Sequence, residues 1–288
     1  MGRNIPKIIH QTYFTKNLPK EIYQVVEKLK RLNKNYEYRF YDDTDIIEYI
    51  KLHFNKRYLE AFLSINPLHG AAKADFFRYL VLYNEGGIYL DIKSSCSVPF
   101  DQLISDDDRY FISQWQNLHG QPHEGFGLNY KELKFIQGGE YQQWYLIAEP
   151  KSPFLKKVID NVLNNIENYA PWKYGLSGYG KMGVLNVTGP IAYTLAIHPL
   201  LNQYQYRFSR FDKDFYLVYN ALDNSQCHTK ILNHYSKIKE IVNFPKNKIK
   251  FFLFNFYIKL AILLNYFFAF LKQLMPIYFK KKIKCFLK

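Results

Sequence analysis

Short apolar runs alternate with stretches of helical period through the first two hundred residues. Residues 6–13 (PKIIHQTY) form a brief apolar run after a proline and predict a first strand. Residues 21–32 place Ile22, Val25, Val26 and Leu29 on one side of a helix, which Asn33-Lys34-Asn35 should stop. Residues 36–41 (YEYRFY) alternate as a second strand, and helices follow over 46–53 and 56–64. Residues 66–93 (NPLHGAAKADFFRYLVLYNEGGIYLDIK) then read as a nearly all-apolar helix, a Gly86-Gly87 break, a buried strand at 88–90 and an aspartate, Asp91, at the strand's end. Further strands are expected at 110–116 and 144–148, late strands or loop edges at 209–219 and 230–235, and helices at 154–168 and from Thr188-Gly189-Pro190 to about Ala196. Strands alternating with helices predict an α/β architecture with a largely parallel sheet. Residues 172–185 carry four glycines but match no phosphate-binding loop, and are expected to be a flexible loop or lid.

Charge changes the picture at one end only. The chain of 288 residues has 39 Lys and Arg against 25 Asp and Glu, a net +14 that resembles a nucleic-acid footprint. Ten of the lysines, and no acidic residue, lie in residues 245–288, which leaves the first 244 residues near balance at +4. The body is therefore not a nucleic-acid binder, and the basic charge belongs to an apolar tail. That tail contains a 21-residue apolar run, 251–271, with Lys259 at its middle and lysine clusters on both sides. The pattern favours a helix lying in an anionic membrane interface; a spanning segment, a core helix and a partner-binding helix are the alternatives. The expected division is a catalytic body at 1–244 and a membrane-associating tail at 245–288. Cys96, Cys227 and Cys285 are too few and too scattered for a disulfide framework.

The candidate chemistry sits in residues 66–93. Asp75 and Arg78 are three apart on a helix that should be mostly buried, so each needs a partner or a ligand. Asp91 stands at the carboxyl end of a strand, where open α/β sheets bind ligands. An internal ion pair followed by an ordinary strand-end aspartate would leave the same pattern. Asp42 and Asp43 could cap the next helix or touch a ligand, the cap being preferred. His119 and His123 fall in a Gly- and Pro-containing loop that argues against a metal pair.

Three separated stretches, IPKIIHQTYFTKNLP, AAKADFFRYLVLYNEGGIYLDI and AEPKSPF with VLNVTGPIAYT, resemble glycosyltransferase family 32. The resemblance implies a GT-A fold, a single Rossmann-like domain with a mostly parallel mixed sheet. It also implies a UDP- or GDP-hexose donor and transfer with retention. Asp91 would be the first carboxylate of the family's DXD motif, Asp75 and Arg78 would hold the ribose and sugar end of the donor, and Tyr13 would lie near the base. A divalent cation, Mn or Mg, would be held by Asp91, with His234 as a late ligand or else an ordinary core histidine. The second DXD carboxylate is replaced by Lys93. If residues 91–93 are extended, both side chains face the diphosphate. Lys93 then either adds charge beside a metal or partly replaces it. The expected acceptor is a lipid-linked saccharide or glycolipid of capsule or lipopolysaccharide type, at the cytoplasmic face of the membrane. The alternatives are mannosyl or galactosyl transfer to a protein or sphingolipid, and a catalytically dead nucleotide-sugar or glycan-binding module.

Overall fold

The computed structural model describes residues 2–222 and 238–274; the late strand or loop edge expected at 230–235, with His234, lies outside them. Strand β1 (Ile8–Thr12) is followed by helix α1 (Lys20–Leu32), which buries Ile22, Val25, Val26 and Leu29 and stops where Asn33 Nδ2 donates back to the Leu29 carbonyl at 2.9 Å. Strand β2 (Glu37–Tyr41) leads into α2 (Asp43–His53), and Asp42 closes a capping box with Asp45 at its start. Helices α3 (Lys56–Ser64) and α4 (Gly70–Glu85) follow, and α4 ends at Gly86 with φ of 69°. Strand β3 (Gly87–Leu90) is wholly buried.

The second half adds β4 (Ser95–Cys96), α5 (Phe100–Leu103), β5 (Phe111–Ser113), β6 (Tyr145–Ala148) and α6 (Pro153–Glu167). It continues with α7 (Gly180–Val187), α8 (Pro190–Ile197), β7 (Arg207–Ser209), β8 (Leu217–Val218) and the long α9 (Lys248–Leu274). The central sheet has the order β2-β1-β3-β6, with β1 parallel to both neighbours and β6 antiparallel to β3. The α/β architecture with a mostly parallel mixed sheet is as the sequence pattern predicts.

Alternation along β3 and β6 sorts the core into two faces. Tyr89, Leu146 and Ala148 join α4, α6 and α8 on one face, around Phe76, Phe77, Leu80 and Leu155. Ile88, Leu90, Tyr145 and Ile147 face Leu29, Phe100 and Trp115 on the other. Because β1 and β3 run parallel in register, with Ile9 opposite Ile88 and His10 opposite Tyr89, their carboxyl ends open on one edge. Thr12 and Tyr13 therefore come beside Asp91.

Two expectations are corrected. Residues 110–116 give only the three-residue β5, which pairs in parallel with β7, while Tyr110 and Gln114 make isolated bridges. Residues 172–185 are not an open loop: 180–187 form α7, packed in the body. A Cβ on Gly183 would lie 2.7 Å from Val242 Cγ2, so this glycine serves close approach and not flexibility.

Candidate active site

Helix α4 carries Asp75 and Arg78 on its buried face, and β3 delivers Asp91 to the sheet edge beside them. The Arg78 guanidinium bonds Asp91 Oδ1 at 2.8 Å and lies 3.3 Å from Asp75 Oδ1. It also donates to the backbone carbonyl and the side-chain oxygen of Gln143, and stacks over the Tyr89 ring at 4.7 Å. Asp75 in turn accepts from Gln143 Nε2 at 3.1 Å and from Thr188 Oγ1 at 2.9 Å. Tyr79 closes the network, its hydroxyl lying 2.8 Å from both Gln143 Oε1 and the Thr188 carbonyl.

Burial disfavours both charges, and the outcomes differ. Burial pushes the Asp75 carboxyl above the usual range, opposed by Arg78 and by the hydrogen bonds from Gln143 and Thr188. For Arg78 the burial cost is outweighed by Asp91, Tyr89 and Asp75, so it is held charged well above its ordinary value. Asp91 is the open member, with its side chain 29% exposed, while Asp75 and Arg78 are buried.

Asp91 and Lys93 do not lie on an extended segment as expected. The strand ends at Leu90, and the Ser94 N–H returns to the Asp91 carbonyl at 2.7 Å, so 91–94 is a turn. The turn is held by Gln11 Nε2 on the Asp91 carbonyl and by Ser94 Oγ on that of Tyr219. Lys93 places Nζ 4.2 Å from the Tyr219 ring centroid. Both residues still face the same space.

Two cavities meet there. One, of about 410 Å³, runs from Tyr13 and Phe14 past Asp43 and Lys73 to Arg78, Asp91 and Lys93. The other, of about 630 Å³, runs from those same three residues to Trp115, Glu140, Trp144 and Tyr219. Both volumes are of the size that holds small ligands. Tyr13 is buried in the first cavity's wall and touches Phe14, which is 57% exposed. The two early aspartates separate: Asp42 is the helix cap, as preferred, whereas Asp43 lines the first cavity.

The donor set of the described residues does not fit a cation cage. Among the described residues no three His, Cys, Asp or Glu side chains cluster as a metal site. Asp91 already shares Oδ1 with Arg78, and an ammonium stands where a second carboxylate would. His234 lies outside the described residues. His119 is exposed and paired with Glu124, and His123 packs on Trp115.

A family model described as "Glycosyltransferase sugar-binding region containing DXD motif" matches residues 19–110. This region of the chain is similar to the sugar-binding region of DXD glycosyltransferases. Over 101 residues it is 34% identical to the mannosyl phosphorylinositol ceramide synthase SUR1 of Saccharomyces cerevisiae, covering 35% of this chain and 26% of that one. Over 94 residues it is 35% identical to the uncharacterized glycosyltransferase L373 of Acanthamoeba polyphaga mimivirus, covering 32% and 37%. It thus matches between a quarter and two fifths of the length of these relatives. Among solved structures it is similar to the PaToxG glycosyltransferase (TM-score 0.48, 18% identity, 70% of this chain and 72% of that one). It is also similar to the UDP-bound glycosyltransferase domain of the YGT toxin (0.48, 8%, 73% and 80%).

The family-like region holds Asp75, Arg78, Asp91 and Lys93, but the network is completed from outside it. Gln143 and Thr188 give no local signal, because only the fold brings them to Asp75. Glu140 had one: it is the lone acid between Glu132 and Glu149, and it follows two glycines.

Replacing Arg78 by Met should destabilise the fold by about 3–5 kcal/mol at neutral pH, since Asp75 is left buried and unpaired. An acid whose folded pKa is raised weakens the fold as pH rises above its unfolded value, so the deficit should shrink toward acidic pH. Urea denaturation across pH 4–8 reads both; a variant as stable as the parent at pH 7 would show that the network carries no such load.

Proposed function

We propose that this chain transfers a hexose from a nucleoside-diphosphate sugar to a glycolipid acceptor, on a GT-A scaffold at a membrane surface. The observation that carries the reading is the meeting of two cavities at Asp91, Arg78 and Lys93. A transferase needs two substrates whose reacting ends touch at one charged point. Tyr13 and Phe14, at the carboxyl end of β1, suit a base, and Asp43 lies within reach of the same cavity for a ribose. The diphosphate then falls at the junction.

There the positive charge comes from side chains. Arg78 holds Asp91 in place, and the Lys93 ammonium, resting on Tyr219, is free to turn toward a departing diphosphate. The second cavity takes the acceptor. With retention, which the family resemblance implies, the bond from the anomeric carbon to the phosphate oxygen breaks as the acceptor oxygen bonds to that carbon on the same face. The acceptor proton passes to the leaving phosphate. The relative named as a mannosyl phosphorylinositol ceramide synthase supports a mannosyl donor and a sphingolipid acceptor, whereas neither relative compared above is named for capsule or lipopolysaccharide.

Lys93 is also what a catalytically dead binding module would show, so activity must decide. The purified chain should hydrolyse a nucleotide sugar slowly, lose about a hundred-fold or more with Asp91→Ala, and keep its rate in excess chelator. A silent parent would favour the binding module, and a chelator-sensitive one would restore an obligatory metal.

The tail supports the membrane assignment. Lys248–Leu271 is long and apolar enough to cross a bilayer by length and composition. Yet Phe254, Ile258 and Ala261 are buried against the body, and Tyr257 and Asn265 donate to the Gly175 and Leu176 carbonyls. A helix held along the body in this way favours lying in the interface over spanning. Its outer side exposes Phe252, Phe256, Leu263 and Phe267. With ten lysines in residues 245–288, this side suits the anionic cytoplasmic leaflet. Changing Phe252, Leu263 and Phe267 together to Glu should release the full-length protein from phosphatidylserine vesicles in a flotation assay. Undiminished flotation would contradict this placement.

A further inference from the structure

A buried carboxyl in the wall of the second cavity takes no part in the Asp75–Arg78–Asp91 network. Glu140 is 7% exposed, and its Oε1 accepts from Trp115 Nε1 at 2.7 Å. Its Oε2 is shielded from solvent and has no hydrogen-bond partner among the described residues. An ionised carboxylate accepts through both oxygens, so half of this group's capacity is unused at a place where that is costly.

The chain is shaped around this side chain. Gly127 has φ of +68°, and a Cβ there would lie 2.2 Å from Glu140 Cγ. Gly139 has φ of +76°, and a Cβ there would meet the Gly127 carbonyl at 2.3 Å. The Glu140 N–H donates to that same carbonyl at 3.2 Å. Two amides tie the flanks down: Gln114 Nε2 donates to the Gln137 and Gly139 carbonyls, and Asn117 Nδ2 to those of Phe126 and Gly138. Such fixing is out of proportion to a carboxyl with no task.

Its surroundings give the task a chemistry. Trp115, Phe126, Trp144 and Tyr219 line the same cavity, and Tyr219 meets Trp115 and Trp144 edge-on at 5.0 and 5.4 Å. Flat apolar rings beside one acceptor oxygen match a pyranose or cyclitol, which presents a C–H face and a rim of hydroxyl donors. We propose that Glu140 and the aromatic wall around Trp115 form a saccharide-binding subsite on the acceptor side, with the Glu140 carboxyl, which lines this cavity, turning to receive a hydroxyl of the bound ring. The inference rests on the two-substrate reading above, since that reading makes this cavity the acceptor's.

Burial pushes the Glu140 carboxyl up to about 7, against the Trp115 N–H and Lys181 of α7, which favour the carboxylate. Tyr130 also faces it, His123 packs on Trp115, and Asp75, Arg78, Asp91 and Lys93 are the other charged groups in the wall. The carboxylate predominates above about pH 7, so ring binding should tighten as pH rises through that value and weaken below it.

The test is a tryptophan-fluorescence titration of the full chain with methyl α-mannoside, methyl β-galactoside and myo-inositol, from pH 6 to 8. At least one probe should saturate, bind more tightly at the alkaline end, and lose about ten-fold or more in affinity with Glu140→Gln. That variant is near-isosteric, and the pH dependence of the parent is a second reading that needs no variant. No saturable response, or equal affinity and pH dependence in parent and variant, would overturn the subsite. Nucleotide-sugar hydrolysis by the same parent sample separates the two failures. Hydrolysis without ring binding removes only the subsite, and no hydrolysis removes the two-substrate reading itself.

Discussion

A buried guanidinium between two carboxylates is the constraint on which this structure turns. Arg78 is held by Asp91 at 2.8 Å and by Asp75 at 3.3 Å, and neither it nor Asp75 can reach bulk water. Leaving either alone in the interior would cost more than most packing changes. The fold therefore supplies Gln143 from the approach to β6, Thr188 from the turn before α8, and Tyr79 from the next position of α4. Three other segments, carrying Asp91, Gln143 and Thr188, are thereby tied to one helix. The open end of that network is Asp91, which is why a charge-bearing site arises at the sheet edge.

The same arrangement accounts for Lys93. With Asp91 already engaged by a guanidinium, a second carboxylate would crowd negative charge at the place proposed for a diphosphate. An ammonium on the Tyr219 ring reverses that balance. The cavity of Tyr13 and Phe14 on one side and that of Trp115 and Glu140 on the other then share a positive junction. Helix α9, packed through Phe254 and Ile258 and apolar on its outer side, would bring such a site to a lipid-borne acceptor.

What the sequence made legible was local. The α4–β3 stretch, its Gly86 stop and the aspartate at its end follow from periodicity, and the Asp42 cap follows from its place before α2. The partners of Asp75 were hidden because Gln143 and Thr188 reach it only through the fold, 68 and 113 residues along the chain. The turn at 91–94 was missed because its holding bonds come from Gln11 and Tyr219, which no spacing rule connects. Residues 172–185 misled for a related reason. A glycine selected for contact with a distant side chain looks in sequence like one selected for freedom. Glu140 combined both difficulties, since its isolation was visible and its cavity was not.

The central claim is that the Asp91–Arg78–Lys93 junction receives the diphosphate of a sugar donor. A crystal structure of the full chain soaked with UDP- or GDP-mannose tests it most directly. The account predicts the diphosphate within hydrogen-bonding distance of Lys93 Nζ, the base against Tyr13 or Phe14, and the sugar directed into the cavity of Trp115. A nucleotide bound elsewhere, or a diphosphate at this edge with Lys93 still turned onto Tyr219 and out of reach, would contradict it.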